Sequence, residues 1–430
     1  MQAIDDRTEE LLRALGLSRF EEIFVTAPRE ARGLGEASGS SPGLSLGVKL
    51  SPFGEELSFL GAGLYDYLGS HALEEQVARM NIFQFGGASL ERSANALEAL
   101  ARYERAAARV AGMDVATASF YRHDSAVARA CCLAAETTGR RLVLTSTTVS
   151  PELRIMTERY AAAGLIELRA LGERDGLTDL DELAELVQTR EIADNLAATL
   201  TQYPNFYGNL ERLNRIVSLT RSAGALAIAV VEPSSASGLK SAREWGFAFA
   251  VWDARRAGAC LRSCGTHLGF IAAPREFLDV APSRYVIPFE NEYGERGLRL
   301  TLSSVSGAAH SESVHPEDGY FALLELARLA YVESRDLERS SFQSRELAVY
   351  AREGLSRAGF EFHHGAPFWR EFAVKVDDPS GMNAYLRRWG VIGGFELPDG
   401  LLLAFTEKRV KDEVDELIYF MKEYQFNGAR

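Results

Sequence analysis

Two acidic residues in the middle of the chain each follow a short apolar run. Glu232 closes the run Leu226–Val231, and Asp253 closes the run at 247–252. Acids at the carboxyl ends of buried strands often face the ligand crevice of an open α/β sheet, where they can hold a protonated ring nitrogen, a ribose hydroxyl or a metal-bound water. An acid in this position can also cap the next helix, and the residues alone favour that structural role.

A basic loop follows the second run. It carries two thiols and an imidazole at C-x3-C-x2-H spacing together with three guanidinium groups: Cys260, Cys264, His267, Arg255, Arg256 and Arg262. The remaining ligand of a zinc site is missing locally, and a catalytic zinc site needs three protein ligands plus water, so no metal is expected. The arginines could bind phosphate or carboxylate, or form ion pairs with another subunit.

The remaining polar motifs give weaker signals. His363 and His364 are adjacent, so on a strand they point to opposite faces and cannot chelate one ion. His310 and His315 lie in a polar stretch and indicate little. The segment ENEYGERG at 290–297 favours a hairpin turn over an acid–base pair. No Walker-type loop, G-x-S-x-G elbow or G-x-G-x-x-G motif is present.

The composition is that of a globular protein with more than one domain. The chain has 430 residues, of which 47% are hydrophobic and 25% charged, and its net charge is −13. That charge argues against nucleic-acid binding, which needs a basic face. No apolar run approaches the roughly 20 residues of a membrane span, and the acidic start does not resemble a signal peptide. Four cysteines do not form a disulfide framework, so we expect a reduced, cytoplasmic protein.

The elements that must position these residues alternate between helix and strand. After two short helices at 5–32 and a Gly/Ser/Pro-rich loop, the patterns predict helices at 89–112, 123–139, 151–164, 179–188 and 209–224, and strands at 141–147, 165–171, 196–204 and 225–233. This alternation predicts right-handed βαβ units and a mostly parallel sheet. From residue 318, beginning with a helix at 319–335, the pattern becomes α+β. We therefore expect an N-terminal helical arm and linker at 1–60, a large α/β domain at 61–315 and a small C-terminal α+β domain at 316–430.

Short words along the chain resemble one family. They are FLGAGLYDY (59–67), GMDVATASFY (112–121), TQYPNFYGNLE (201–211), THLGFIA (266–272), RGLRLTL (296–302) and LLLAFTEKRVKDEVDEL (401–417). Together they resemble subunit 1 of the two-subunit glycine decarboxylase, the P-protein of the glycine cleavage system. The resemblance implies the fold of fold-type I pyridoxal-phosphate enzymes, which is aminotransferase-like.

The resemblance also implies a division of labour. Subunit 1 of that family lacks the lysine that binds pyridoxal phosphate, and it pairs with a homologous subunit 2 that carries it, in a heterotetramer of two copies each. The pair acts on glycine and passes the product to a lipoyl H-protein. This chain agrees, since the stretch 252–261, where the lysine is needed, contains none and Lys240 lies too early. The cofactor is therefore expected on the partner subunit.

Departures from the family pattern cluster near the shared active site. The family's tyrosine-rich word is replaced by FQFGGASLE (83–91), and a glycine-containing word is replaced by Arg122, His123, Asp124 and Ser125. The family's aspartate after the central strand is Glu232 here, which we interpret as a vestigial cofactor position. From their positions in the family pattern, we expect an arginine of the substrate pocket to bind the substrate carboxylate through two hydrogen bonds. The expected pocket residues are Phe83, Gln84, Phe85, Glu91, Arg122, His123, Arg255 and Arg262.

Three functions remain open from the sequence. The first is a divergent subunit that lacks the lysine and is inactive alone, paired with a subunit 2 homologue to act on glycine or a glycine-like amino acid by the carbanion chemistry of pyridoxal phosphate. The second is a pseudoenzyme or scaffold that stabilises or regulates its partner. The third is a genuine glycine dehydrogenase (decarboxylating) subunit acting with lipoyl H-protein.

Overall fold

The computed structural model describes residues 56–67, 94–120, 123–232, 239–253, 269–277, 284–290, 292–294, 296–302 and 337–427. The helices predicted at 5–32 and 319–335 and the loop before residue 56 lie outside these ranges. They remain predictions.

Strands and helices alternate along the first part of the described chain. In order they are β1 (Leu57–Ser58), α1 (Ala94–Ala111), β2 (Val115–Phe120), α2 (His123–Thr138), β3 (Leu142–Ser146), α3 (Pro151–Ala162), β4 (Glu167–Leu171), β5 (Glu173–Arg174), β6 (Leu177–Thr178), α4 (Leu180–Gln188), α5 (Arg190–Asn195), β7 (Leu196–Tyr203), α6 (Leu213–Ser222), β8 (Leu226–Val231), α7 (Ala242–Trp245), β9 (Phe249–Asp253) and β10 (Gly269–Ala273). A hairpin and an α+β segment follow: β11 (Arg284–Glu290), β12 (Arg296–Leu302), α8 (Leu337–Arg357), β13 (Glu371–Lys375), α9 (Pro379–Arg388), β14 (Val391–Ile392), β15 (Phe395–Leu397), β16 (Gly400–Ala404) and α10 (Lys411–Asn427).

A seven-stranded sheet, called the main sheet below, has the strand order β2-β10-β9-β8-β7-β3-β4. Strand β10 runs antiparallel to its neighbours β2 and β9, and every pair from β9 across to β4 is parallel. This arrangement confirms the predicted α/β class with a mostly parallel sheet.

The inner strands of the main sheet are buried on both faces, which explains why β3, β7, β8 and β10 are mostly apolar runs, whereas the edge strand β4 is largely exposed. Along β8, Ile228 and Val230 pack into one core cluster with residues of α2 and α3, while Ala227 and Ala229 pack into the other with residues of α1 and α6. The alternation is the two-residue period of a strand.

Local signals in the sequence fix several helix ends. Helix α1 ends before Gly112, which has a φ of +66°, and the side chain of Asp179 accepts hydrogen bonds from the backbone of Asp181 and Glu182 to cap α4.

The sequence pattern predicts helix α6 from residue 209, but the helix begins at Leu213. The reason is tertiary, because the residues just before it pair with a distant segment, with Leu210 N donating to Pro367 O at 2.7 Å.

A hairpin of β11 and β12 lies beside α1 and β2. Its turn falls within 290–297, so the interpretation of ENEYGERG as a hairpin turn is confirmed. Cys131 and Cys132 are buried in α2.

The C-terminal layer, as we call β13–β16 with α8, α9 and α10, has its own core. Strands β13, β16 and β15 form an antiparallel sheet, and one core cluster joins this sheet to the three helices. Strand β1 pairs in parallel with β14 of this layer, and Phe59 is fully buried in the same cluster. The segment 56–67 is therefore anchored to residues more than 300 positions later in the chain.

None of the helices in the described ranges is long and apolar enough to cross a membrane.

Candidate functional site

A narrow cleft lies where the carboxyl ends of β7 and β8 face the C-terminal layer. Its walls include Gln202, Gly208, Glu232, Tyr65, Arg370 and Glu371. Glu232 is placed there because it directly follows β8, and Arg370 because it directly precedes β13. Open α/β sheets bind ligands at this edge, so the cleft is the candidate site.

Glu232 and Arg370 form a buried ion pair across the cleft. Their side chains are 5% and 3% exposed, and the hydroxyl of Tyr67 donates to Glu232 Oε1 at 2.8 Å. The guanidinium carbon of Arg370 lies 4.3 Å from the ring centroid of Tyr65 and 5.0 Å from that of Tyr67. Burial, the largest single influence, would lower the pKa of Arg370, but the charge of Glu232, the neighbouring Tyr67 and Tyr65 and the hydrogen bond to Glu232 together raise that pKa above its ordinary value. Breaking such a pair by removing one partner typically costs about 3–5 kcal/mol.

Glu371 is a second buried carboxylate next to this pair. Its Oε2 accepts a hydrogen bond from the Tyr65 hydroxyl at 2.7 Å, and its Oε1 accepts one from the backbone of Ala62 at 2.5 Å. The rings of Tyr65 and Tyr67 meet edge to face with centroids 5.7 Å apart. The segment 56–67 thus provides one tyrosine hydroxyl that donates to Glu232 and another that donates to Glu371.

Backbone contacts close the cleft at its base. Trp369 N donates to Gly208 O at 2.9 Å, next to the hydrogen bond from Leu210 to Pro367. Gly208 has a φ of +78°, and a Cβ atom added there would overlap the carbonyl oxygen of Glu371. Only glycine allows these two backbone segments of the chain to approach each other this closely.

Glu211 accepts hydrogen bonds from three different connections beside the cleft. Its carboxylate accepts hydrogen bonds from Thr148 Oγ1 at 2.8 Å, from Thr178 N at 3.1 and 3.2 Å, and from Asn205 Nδ2 at 2.9 Å. Burial raises the pKa of this carboxyl, and the hydrogen bonds from Asn205, Thr148 and Thr178 oppose the rise. Each donor comes from a different connection at the carboxyl edge of the main sheet, so Glu211 fixes their relative positions.

Asp66 lies beside the cleft between two cations. Its carboxylate accepts from Lys408 Nζ at 2.8 and 2.7 Å and from Arg409 Nη2 at 3.3 Å. Thr406 Oγ1 also donates to the Asp66 backbone at 2.6 Å. These bonds hold the segment 56–67 on the turn that follows β16.

His364 packs where the C-terminal layer meets the main sheet. Its ring lies on Tyr207, with centroids 4.6 Å apart, and its Nε2 is buried with no hydrogen-bond partner in the described part of the chain. His363 instead faces Asp399, with its Nε2 3.3 Å from the Asp399 carbonyl oxygen. The two imidazoles therefore have different partners, and their ring centroids lie 6.0 Å apart.

We expect acid to weaken the contact at His364. Burial lowers the pKa of its imidazole below 6.5, His363 and Arg352 lower it further, and Asp175 opposes them. The unfolded chain then binds the proton more readily, so stability that is present above about pH 6.5 is lost progressively as the pH falls from there through the lowered pKa of the folded protein. Urea unfolding at pH 7.5 and 5.5 should show a larger loss for the wild type than for His364→Phe, which keeps the ring contact but cannot titrate. Equal losses in the two proteins would contradict this.

The predicted site residues are distributed unevenly over the described structure. Glu232 lies in the cleft, His123 is the first residue of α2, and Asp253 is the last residue of β9. Lys240 precedes α7, with its Nζ 5.2 Å from the ring centroid of Trp245. Other predicted residues lie outside the described ranges and remain predictions: Phe83, Gln84, Phe85, Glu91, Arg122, Arg255, Arg256, Arg262, Cys260, Cys264, His267, His310 and His315.

Sequence reasoning does not identify the partners of Glu232. One available signal is FWREFAVKV (368–376), in which an arginine and a glutamate open an apolar strand, because charged residues are rarely buried without partners. Within the described ranges, no cluster of histidine, cysteine, aspartate and glutamate is suited to hold a metal ion.

Comparison with known proteins gives one consistent result. The model of the family described as "Glycine cleavage system P-protein" matches residues 5–421. A protein of Syntrophomonas wolfei named "Probable glycine dehydrogenase (decarboxylating) subunit 1" is 32% identical, and the match covers 95% of both chains. A similarly named protein of Carboxydothermus hydrogenoformans is 31% identical over 96% of this chain and 97% of its own.

A solved structure agrees with these relatives. The crystal structure of glycine decarboxylase (P-protein) of the glycine cleavage system, in inhibitor-bound form, superposes with a TM-score of 0.76 at 26% identity, covering 98% of this chain and 99% of the other. The fold is that of fold-type I pyridoxal-phosphate enzymes, as predicted.

Proposed function

Because this chain belongs to the glycine cleavage system P-protein family, we propose that it is the subunit without the cofactor lysine of a two-subunit glycine dehydrogenase (decarboxylating)-like complex. It pairs with a homologous subunit 2 that carries pyridoxal phosphate, and it is inactive alone. The complex acts on glycine or a glycine-like amino acid, with the cofactor supplying carbanion stabilisation. The relatives named as subunit 1 support the pairing.

One observation carries the assignment of the cofactor to the partner. No lysine occurs between Lys240 and Lys375, the stretch that includes the connection after β9 where the fold would need the amine. Lys240 lies against Trp245, and Lys375 is paired with Glu361 at 3.0 Å. An enzyme of this type needs an amine that can reach the cofactor.

The described residues of the cleft do not fit pyridoxal phosphate. Glu232, the acid that would face the ring nitrogen, is bound to Arg370 and Tyr67. The cleft has about 10 Å³ of room for a water-sized sphere, far below the roughly 300–1,000 Å³ of typical ligand pockets. Both facts support a cofactor site elsewhere in the complex.

The finer features of the proposal rest on the family resemblance. They are the substrate pocket of Phe83, Gln84, Phe85, Glu91, Arg122, His123, Arg255 and Arg262, the domain boundaries at 60 and 315, the heterotetramer of two copies of each subunit, and the cytoplasmic location. Glu232 is the vestigial cofactor position, and its ion pair with Arg370 is consistent with that role.

Two other functions are each favoured by one observation. The closed cleft favours a pseudoenzyme that stabilises or regulates its partner. The match over nearly the whole length of relatives named glycine dehydrogenase (decarboxylating) subunit 1 favours glycine decarboxylase activity with lipoyl H-protein.

The proposal is tested by locating the cofactor. We expect the purified chain mixed with pyridoxal phosphate to lack the visible absorption of the lysine-bound cofactor, and the chain co-purified with its subunit 2 homologue to show it. Borohydride reduction followed by peptide mass mapping should place the cofactor on a lysine of the partner. A reduced adduct on a peptide of this chain would overturn the assignment.

The same complex separates the alternatives. Glycine-dependent release of carbon dioxide that requires lipoyl H-protein would identify a glycine decarboxylase. A complex whose activity is unchanged by Arg122→Ala but is abolished when this chain is left out would identify a scaffold.

A further inference from the structure

We propose that the Glu232–Arg370 ion pair is a built-in joint that holds the C-terminal layer closed on the main sheet without any ligand. In this chain the joint takes the place of a ligand-binding cleft. All of its residues belong to this chain, so this inference can be tested independently of the proposed pairing with a second subunit.

The two charges are anchored on different parts of the fold. Glu232 ends β8 of the main sheet and Arg370 begins β13 of the C-terminal layer. Both side chains are almost completely removed from water. A buried charge that loses its partner is strongly unfavourable, so separation of the two layers is opposed at this point.

Aromatic side chains cover the pair. Arg370 lies against the faces of Tyr65 and Tyr67, and the Tyr67 hydroxyl donates to Glu232. Tyr65 in turn donates to Glu371, the residue next to Arg370. The segment 56–67 therefore closes over the ion pair and is fixed to both sides of it.

An anionic ligand would have to break this arrangement. A carboxylate or phosphate that bound Arg370 in the cleft would compete with Glu232, and the buried Glu232 carboxylate would lose its ion pair. Gly208 in the wall of the cleft, and Gly61 on the segment 56–67, each lie so close to Glu371 that neither has room for a Cβ atom. These contacts keep the cleft narrow.

Two hydrogen bonds next to the pair report whether the layers separate. They are Trp369 N to Gly208 O at 2.9 Å and Leu210 N to Pro367 O at 2.7 Å. Both cross from the C-terminal layer to the connection after β7. Hydrogen exchange of the peptides that contain these amides therefore measures opening at the joint.

The experiment is a double-mutant cycle on the purified chain. We expect Glu232→Gln and Arg370→Met each to speed exchange of these two amides by on the order of 100-fold, because each removes one charge of a buried ion pair. The double variant removes both charges and should exchange more slowly than either single variant. The matched control is Lys375→Met on the same strand, which removes an exposed ion pair with Glu361 and should leave exchange within about threefold of wild type.

Single variants whose amides exchange at the wild-type rate would contradict the proposal, and so would a double variant whose effect on exchange is the sum of the two single effects. If neither single variant folds and the double variant does, the energetic coupling of the two charges is supported directly. If no variant folds, the test is made on the wild-type protein by adding possible ligands. Pyridoxal phosphate and glycine, added separately to the purified chain, should leave exchange at Leu210 and Trp369 unchanged, and protection of these amides by either compound would show that the cleft is a ligand site.

Discussion

Replacing Gly208 by alanine is expected to destabilise the protein by roughly 3–5 kcal/mol. The new Cβ would overlap the Glu371 carbonyl oxygen, and the backbone φ of +78° is unfavourable for any residue with a side chain. Relief of the overlap requires the main sheet and the C-terminal layer to move apart. This movement would break the hydrogen bond from Trp369 and expose the Glu232–Arg370 pair. Chemical denaturation of the purified chain measures the loss.

Gly164 provides a matched control. Its φ of +74° is nearly that of Gly208, but no atom lies within 4 Å of the position a Cβ would take. Gly164→Ala should therefore cost only the backbone term, about 1–2 kcal/mol. If the two variants lose the same stability, the close approach of Gly208 to Glu371 contributes nothing and the account of the cleft's base is wrong.

Replacing Glu211 by alanine is expected to cost roughly 3–4 kcal/mol. The change leaves the Thr178 amide, the Asn205 side chain and the Thr148 hydroxyl without their shared acceptor. Buried donors that lose an acceptor each carry a desolvation penalty of about 1–3 kcal/mol, partly relieved by water that enters the space left behind. The free energy of unfolding from urea titration gives the value.

Two variants separate the hydrogen bonds from other effects of the change. Glu211→Gln keeps one acceptor oxygen and the shape of the side chain, so it should cost less than Glu211→Ala. Glu167→Ala removes an exposed carboxylate that accepts from Asn195 at 2.9 Å, and it should stay within about 0.5 kcal/mol of wild type. A loss at Glu167 as large as that at Glu211 would mean that burial of the acceptor does not matter here.

Local patterns of the sequence predict the main sheet well, because its strands and helices are set by short-range periodicity. The run Leu226–Val231 is a strand at the expected place, and α2 covers His123–Thr138, where the pattern predicts a helix at 123–139. Glu232 lies at the cleft for the same reason, since its position depends only on where β8 ends.

Long-range pairing is what the sequence leaves open. Arg370 is separated from Glu232 by more than one hundred residues, and no local pattern indicates which acid it meets. The start of α6 is mispredicted for a related reason. Leu210 precedes a helical pattern, but its amide is used by Pro367 in the C-terminal layer, so a tertiary contact overrides local propensity.

The anchoring of Tyr65 also sets when the protein can finish folding. Its hydroxyl donates to Glu371, which lies 306 positions later, so this hydrogen bond cannot form until the ribosome has synthesised Glu371. At ribosomal rates of about 5–20 residues per second, that interval is roughly 15–60 s. The main sheet can assemble on the nascent chain during this time, while Tyr65 and Phe59 stay without their final contacts in the C-terminal layer. Closure of so long a loop carries a large entropic cost before any contact repays it. The cleft is therefore among the last features to form, and until then these two rings are exposed on the nascent chain.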